Sequence, residues 1–455
     1  MKCRIVNSRD VLFVNRFDGS YHNADVNVYD SIIKSHSDHN LAYYCSSIFT
    51  SGRAKRMYTK QEFGYPFLSN ADVSSQTPLS ACNYASRKYS YDETAFLKGG
   101  MILTGRVGAI GQTSFVPKYW EQYEMMGSDN IIRIVIKPEY KNGFIYAYLA
   151  SKVGNLSFWK HATGGVQPFI TDKMVGNLPI PNFPDSFQNE VDDLIQKSAK
   201  LREQAANALA EAVSIFEDEI GISSTDYAAY RKELISIKNI AGKFRRIDSQ
   251  YQIGHKSIGI EKQNLNTIKI SSIAKAIFTG NRGKRYYVDN DGFFFLSSSD
   301  MMLANPKRFC KKISRKTPNL NDLLVPKGTI LISRSGTVGN TIIVGDDLKG
   351  SAVSEHAMRL IVDENKITPE YVFAYFCTKQ GKDSLAILPY GSVIVTLGEE
   401  FLGDVDLPLL SDEKQKTITA LVQTYTQKND LAVANENKAI TMVEEEIEKW
   451  QSQTA

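Results

Sequence analysis

The 455-residue sequence lacks most of what a catalytic centre is built from. Its five cysteines, Cys3, Cys45, Cys82, Cys310 and Cys377, include no C-x-x-C pair, which argues against a disulfide framework or a zinc site and suits a reducing cytosol. Six dispersed histidines form neither H-E-x-x-H nor a partner to a G-x-S-x-G nucleophile turn. Without a G-x-x-x-x-G-K-[ST] loop, nucleotide hydrolysis of the P-loop kind is not expected. Nor is any Asn or Asp followed by Pro-Pro-Tyr or Pro-Pro-Phe, with which amino-methyltransferases hold a target base. The chain is therefore expected to catalyse nothing and to bind no cofactor or metal. No apolar run reaches about 18 residues, so no membrane span is expected, and the amino terminus has no secretion-signal core. These absences read as a cytoplasmic protein.

Two absences are local. Glycine and proline are missing from Ser186 to Ile220 and again from Ser411 to Trp450. In the first stretch Val191, Leu194, Ser198, Leu201, Ala205, Ala208, Ala212 and Ile215 recur at steps of three and four, the seam of a coiled-coil helix. In the second, Ile418, Leu421, Tyr425, Ala432, Ala439 and Met442 do so less cleanly, with Lys428 and Asn435 where apolar residues are expected. Each stretch follows prolines, Pro179, Pro181 and Pro184 in one case and Pro408 in the other, which can precede a helix but not continue inside it. At ~1.5 Å per residue each helix would be about 50 Å long or more. Net charge is only +4, but the two stretches take sixteen of the 50 acidic residues and only eight of the 54 basic ones. The remainder is correspondingly basic.

What is present is a repeat. Ile48-Phe49-Thr50 with Arg53, Lys55, Arg56 and Tyr58 returns 229 positions later as Ile277-Phe278-Thr279 with Arg282, Lys284, Arg285 and Tyr287. Phe67-Leu68-Ser69, Arg106, Gly108 and Gly111 return 228 positions later as Phe295-Leu296-Ser297, Arg334, Gly336 and Gly339. Ala147-Tyr148 and Ile180-Pro181 return as Ala374-Tyr375 and Leu407-Pro408. A period this long marks a duplicated domain rather than a solenoid, whose units run to roughly 20–50 residues. The predicted organisation is a globular domain over 1–185, a helix over 186–221, a second domain over 222–410 and a second helix over 411–455. Short β-branched runs such as Ile131 to Ile136 and Arg359 to Val362 read as strands, and Phe144 to Ser151 and Glu370 to Thr378 as helices, so the globular parts are α+β.

The matched loops IFTSGRAKRMY and IFTGNRGKRYY carry the strongest binding signal. Arg53, Lys55 and Arg56, with Arg282, Lys284 and Arg285, can meet phosphate oxygens or present guanidinium planes to guanine, or can pair with local carboxylates in a solvated turn. Arg106 and Arg334 sit in matched glycine turns, read as hairpins rather than dinucleotide loops because return strands follow at Thr113 and Thr341. Gln167, after Gly164-Gly165, and Tyr390, before Gly391, occupy a third matched turn that could face DNA.

In this order, with the openings Arg16-Phe17-Asp18 to Tyr21 and Arg246-Ile247-Asp248 to Tyr251, these motifs resemble the specificity subunit of type I restriction-modification systems over essentially the whole chain. The resemblance implies two target recognition domains, each reading half of a split double-stranded DNA site, and two long helices packed as an antiparallel coiled coil that sets the gap. It also implies two modification subunits that use S-adenosylmethionine and restriction subunits that use ATP and Mg, with no membrane partner. A specificity subunit serving a fused methylase-nuclease, or a non-catalytic interaction scaffold, would carry the same helices.

Overall fold

The computed structural model describes residues 6–9, 11, 19, 21–22, 24–53, 55–80, 82–164, 166–221, 244, 246–248, 251–252, 265–335, 338–391 and 395–454. The opening motif Arg16-Phe17-Asp18 and the expected domain start at 222 lie outside them. The chain forms two compact units, one of residues 1–203 with 431–455, the other of 204–430. The long helices are continuous, over Asp185–Ile220 and Asp412–Thr454, and each contributes one part to each unit.

Unit 1 begins, after α1 (Ala24–Ser35), with β1 (Cys45–Thr50), β2 (Tyr58–Thr59), β3 (Gly64–Leu68), β4 (Asn83–Ser86), β5 (Ile102–Gly105), β6 (Thr113–Phe115), β7 (Met126–Gly127) and β8 (Ile131–Ile136). Two four-stranded sheets result, β1-β8-β5-β6 and β2-β4-β3-β7, antiparallel except for the β3–β7 pair. Alternation along a strand sends successive side chains to opposite faces. Ile102, Ile132 and Ile134 accordingly join a core with α2 (Asn142–Ala150) and α3 (Lys152–His161). Leu103 and Ile131 pack on the other side with Leu68, Leu97 and Trp120. The run Phe144-Ile145-Tyr146-Ala147-Tyr148-Leu149-Ala150 has no polar face and is wholly buried, as a helix apolar all round must be. A short pairing of His39–Asn40 with Pro179–Ile180 closes the unit ahead of α4 (Asp185–Ile220).

Unit 2 repeats this plan strand for strand. β9 (Ala274–Thr279), β10 (Tyr287–Val288), β11 (Phe293–Leu296), β12 (Lys311–Ile313), β13 (Ile330–Ser333), β14 (Thr341–Ile343), β15 (Ala352–Val353) and β16 (Ala357–Val362) form sheets β9-β16-β13-β14 and β10-β12-β11-β15, with β11–β15 again the parallel pair. Even the irregularity in the first strand recurs, between Cys45 and Ser47 and between Ala274 and Ala276. α5 (Pro369–Cys377) and α6 (Lys379–Ala386) match α2 and α3, and α7 (Asp412–Thr454) follows the pairing of Asp406–Pro408 with Thr267–Lys269. The α+β class and tandem architecture expected from the sequence are both present.

Inside unit 1 the start of α4 runs antiparallel to the end of α7. Ser198 Oγ donates to the Ala432 carbonyl at 2.8 Å, and Phe183, just ahead of α4, stacks on Trp450 at 4.6 Å. Inside unit 2 the end of α4 meets the start of α7, where Lys414 pairs with Glu219. The seam of α7 differs from the one expected. Its buried positions include the series Ile418, Val422, Tyr425, Asn429, Ala432, Glu436, Ala439, Val443 and Ile447, with Val433 and Ile440 buried beside it. This series alternates steps of four and three from Ile418 to Val443, so Asn429 and Glu436, not Lys428 and Asn435, are its polar members, and Leu421 and Met442 lie at its edge. On α4, Ile195 and Phe216 are buried where Leu194 and Ile215 were expected, while Val191, Ser198, Ala205, Ala208 and Ala212 hold their places.

Candidate nucleic-acid interface

The first basic loop joins β1 to β2 as irregular chain. Ser90 fixes it, its Oγ accepting from Met57 N at 2.8 Å and donating to the Lys55 carbonyl at 3.2 Å. Arg53 and Lys55 are exposed. Arg56 pairs with Asp129, and its guanidinium lies 5.1 Å from the Phe67 ring centroid. Arg53 reaches the same Asp129 at 3.3 Å.

Asp129 belongs to the connection between β7 and β8, and that connection gathers the other candidates. The neighbouring Asn130 carbonyl accepts from Arg106 N at 2.8 Å, and the Arg106 carbonyl accepts from Ile170 N at 2.9 Å. Val107 and Thr163 both bridge to Phe169, closing the turn whose tip exposes Gln167. Gly108 and Gly111 take left-handed φ angles of 79° and 74°, which a side chain would oppose, and the turn returns as β6, a hairpin. Three segments far apart in sequence thus meet in one place.

Unit 2 brings the equivalent segments together. Arg285 lies 3.5 Å from Glu355 in the β15–β16 connection and 5.5 Å from the Phe295 ring. Asn281 braces it, its side-chain oxygen accepting from Arg285 Nη1 at 3.2 Å and from Gly283 N at 3.0 Å. Arg282 and Lys284 are exposed, the latter over the Tyr286 ring. Arg334 N donates to the His356 carbonyl and Leu397 N to the Arg334 carbonyl, reproducing the contacts of Arg106. Arg334 differs in spending its Nε on the Leu397 carbonyl at 3.0 Å. Gly336 of the glycine turn lies outside the described residues. Tyr390 pairs with Thr396 across its turn and packs on Phe401 at 5.3 Å, yet stays 42% exposed. Arg246 of the opening motif holds this turn, donating to the Leu388 and Pro389 carbonyls while gripping Asp248 through two nitrogens.

Beneath both connections lies a buried arginine that sequence reading passed over. Arg133 donates to the carbonyls of Gly127 (2.6 Å), Ile131 (2.9 Å) and Ala95 (3.0 Å), and Arg359 to those of Val353 (2.5 Å) and Ala357 (2.9 Å). Both are virtually inaccessible, and burial pulls each guanidinium down to about 10. With five donors in a rigid fork, arginine can pin several carbonyls of one loop at once. Their only signal was a charge inside an apolar strand at corresponding places, Ile131-Ile132-Arg133 and Ala357-Met358-Arg359.

A second omission is the run Lys307-Arg308-Phe309-Cys310-Lys311-Lys312-Ile313-Ser314-Arg315-Lys316, six cations in ten residues. Part of it is β12, where Lys311 lies over Tyr287 and Lys312 over Phe294, and just past its end Arg315 lies over Phe293, at 5.1 to 5.4 Å. Their unit 1 counterparts are Asn83, Tyr84 and Arg87, the last paired with Glu124 at 2.8 Å. Charge density alone could have found this strand, but it does not repeat.

Among the described residues no group of three or more His, Cys, Asp or Glu is placed to hold a metal, and no helix is long and apolar enough to cross a membrane. What the arrangement offers is cations, aromatic rings and turns with exposed backbone, gathered once in each unit. None of the curated proteins matches the sequence. Several solved structures resemble it weakly, three of them over most of their length. The type I restriction-modification S subunit from M. genitalium shares 13% identity, covering 90% of this chain and 94% of that one at a TM-score of 0.33. The HsdS subunit from Thermoanaerobacter tengcongensis shares 14%, covering 88% and 95% at 0.29. A chain from a structure on complex assembly and conformational transition of the type I R-M system shares 13%, covering 91% and 96% at 0.30. Decisive instead is the family model for the type I restriction modification DNA specificity domain, which matches residues 264–442, nearly all of the second copy. Residues 264–442 thus carry the type I restriction modification DNA specificity domain, and unit 1 repeats that domain in sequence motif, strand order and loop contacts.

Proposed function

We propose that each unit reads one half of a split double-stranded DNA site, and that the chain directs methylation and cleavage carried out by other subunits. The observation that supports this is the double occurrence of the convergence just described: the basic loop, the glycine turn and the third turn meet around one connecting loop in both units. Basic heads on acidic helices concentrate phosphate attraction in the heads. α4 and α7, uninterrupted over 36 and 43 residues, are stiff enough to fix the gap between half-sites. Two modification subunits would supply S-adenosylmethionine chemistry, and restriction subunits ATP-driven, Mg-dependent cleavage, all in the cytoplasm. This chain contributes DNA choice and no chemistry of its own.

Co-expression with the modification subunits and a genome-wide map of methylated bases tests the reading. A bipartite motif with a fixed gap is expected. A continuous motif, or methylation without sequence preference, would overturn it.

A further inference from the structure

The cations of the basic loops are not equivalent. Lys55, Arg282 and Lys284 are exposed and free to follow a phosphate backbone, and Arg53, exposed too, reaches Asp129 through its Nε, whereas Arg56 and Arg285 are each held from two sides, Arg285 also through the Gly283 and Asn281 carbonyls. On one side stands a carboxylate, Asp129 or Glu355; on the other a ring, Phe67 or Phe295. Each carboxylate rides on a connection pinned by a buried arginine, Arg133 or Arg359, through the carbonyls two residues before and two residues after it. A tyrosine, Tyr58 or Tyr287, closes the group edge-on against the same phenylalanine, at 6.1 and 6.2 Å. Two copies that have diverged over most of their length keep this five-part assembly, with only the acid changed from Asp to Glu.

A guanidinium that already shares its charge with a carboxylate is a poor choice for attracting phosphate. What the carboxylate and the ring preserve is direction. Direction is what bidentate recognition of a base edge requires, because two parallel N–H bonds must meet two acceptors in one plane. We propose that Asp129 and Glu355 are positioning residues that hold Arg56 and Arg285 in a fixed pose toward base edges, so that discrimination between sequences depends on them. The proposal rests on the DNA-reading function above and assigns, within each unit, one arginine to sequence and its neighbours to backbone.

The test uses the chain assembled with its modification subunits, a duplex carrying the mapped site and a scrambled duplex, with affinities read by fluorescence anisotropy. For Asp129→Asn the ratio of specific to scrambled affinity should fall at least tenfold, while scrambled binding tightens because a negative charge is gone. Asp129→Glu, which keeps the carboxylate as unit 2 does, should restore most of the ratio. In the methylation map, Asp129→Asn should blur one half of the motif and Glu355→Gln only the other. A ratio within twofold of the unmodified complex, or equal loss on both duplexes with no recovery in Asp129→Glu, would overturn the proposal in favour of a purely structural pair. Should Asp129→Asn not fold, Arg56→Lys decides: it keeps the charge at an exposed position but not the planar fork, and an undiminished ratio there overturns the proposal. If the unmodified complex itself shows no discrimination, the DNA-reading function fails and this assignment with it.

Discussion

Asp30 of α1 is what allows Lys160 of α3 to be buried. Their side chains meet at 2.5 Å with 8% and 5% of their surface exposed, and Asn27 adds a second contact to the ammonium at 3.2 Å. Burial alone would raise the Asp30 carboxyl, but Lys160 and Lys34 outweigh it and hold the pKa below 3.8. Because the folded-state value is the depressed one, the stabilisation is complete above 3.8 and disappears as pH falls through the folded value. Asp30→Asn leaves the ammonium buried without its anion and should cost about 3 kcal/mol at neutral pH. Urea titrations at pH 7 and pH 3 check this: the gap between the original chain and the variant should narrow at the lower pH. Equal gaps would mean that the pair contributes nothing through charge. The same kind of context separates the arginines that sequence could and could not assign. Arg53 and Arg282 stood out as candidates because a loop cation repeated in both copies has few structural uses. Arg133 was not, because only the fold reveals that its strand faces a ring of carbonyls.

At the scale of the element, the α7 seam shows why one-dimensional pattern reading slipped by a residue. Reading for apolar residues selected Leu421 and Met442, which placed Lys428 and Asn435 in the seam and made it irregular. Shifted by one, the seam is regular, and its polar member Glu436 has partners unreadable from its own helix. It accepts from Tyr146 Oη at 2.8 Å and pairs with Arg202 of α4, both in unit 1. Glu436→Leu should therefore destabilise unit 1 by about 3 kcal/mol, since Arg202 and the Tyr146 hydroxyl lose their acceptor. The double change Arg202→Met with Glu436→Leu should recover much of that, because a buried ion pair can be replaced by apolar packing at little net cost. A thermal-unfolding double-mutant cycle reads the coupling. Strictly additive losses would show that the pair is incidental to the seam. Strands such as β8 and β16, the helices α2 and α5 and the extent of both long helices were legible from periodicity and from the missing glycine and proline. The register of α7 was not, because it is set by contacts from residues more than 200 positions away.

At the scale of the molecule, the two units share a plan but not a charge. In unit 2, β12 presents Lys311 and Lys312 where β4 of unit 1 has Asn83 and Tyr84, and the Glu124 that neutralises Arg87 is replaced by Gly350. Stacking on Tyr287, Phe294 and Phe293 holds these unit 2 cations over rings rather than against acids. Each cation that neutralises a phosphate steepens the fall of affinity with salt by about 0.9 in the log–log slope. Giving unit 2 the residues of unit 1, by Lys311→Asn with Lys312→Tyr, should flatten that slope by about 1.8 and weaken binding at low salt. The reciprocal Asn83→Lys with Tyr84→Lys should steepen it by as much if the two small sheets meet DNA alike. Salt titrations of the assembled complex on one duplex make the comparison, and an unchanged slope in the first variant would take β12 off the DNA. Unit 2 is then the half that supplies more of the sequence-independent attraction. Unit 1, with fewer cations on its small sheet, must draw a larger share of its affinity from contacts that depend on sequence, so base changes in its half-site should cost proportionately more as salt rises.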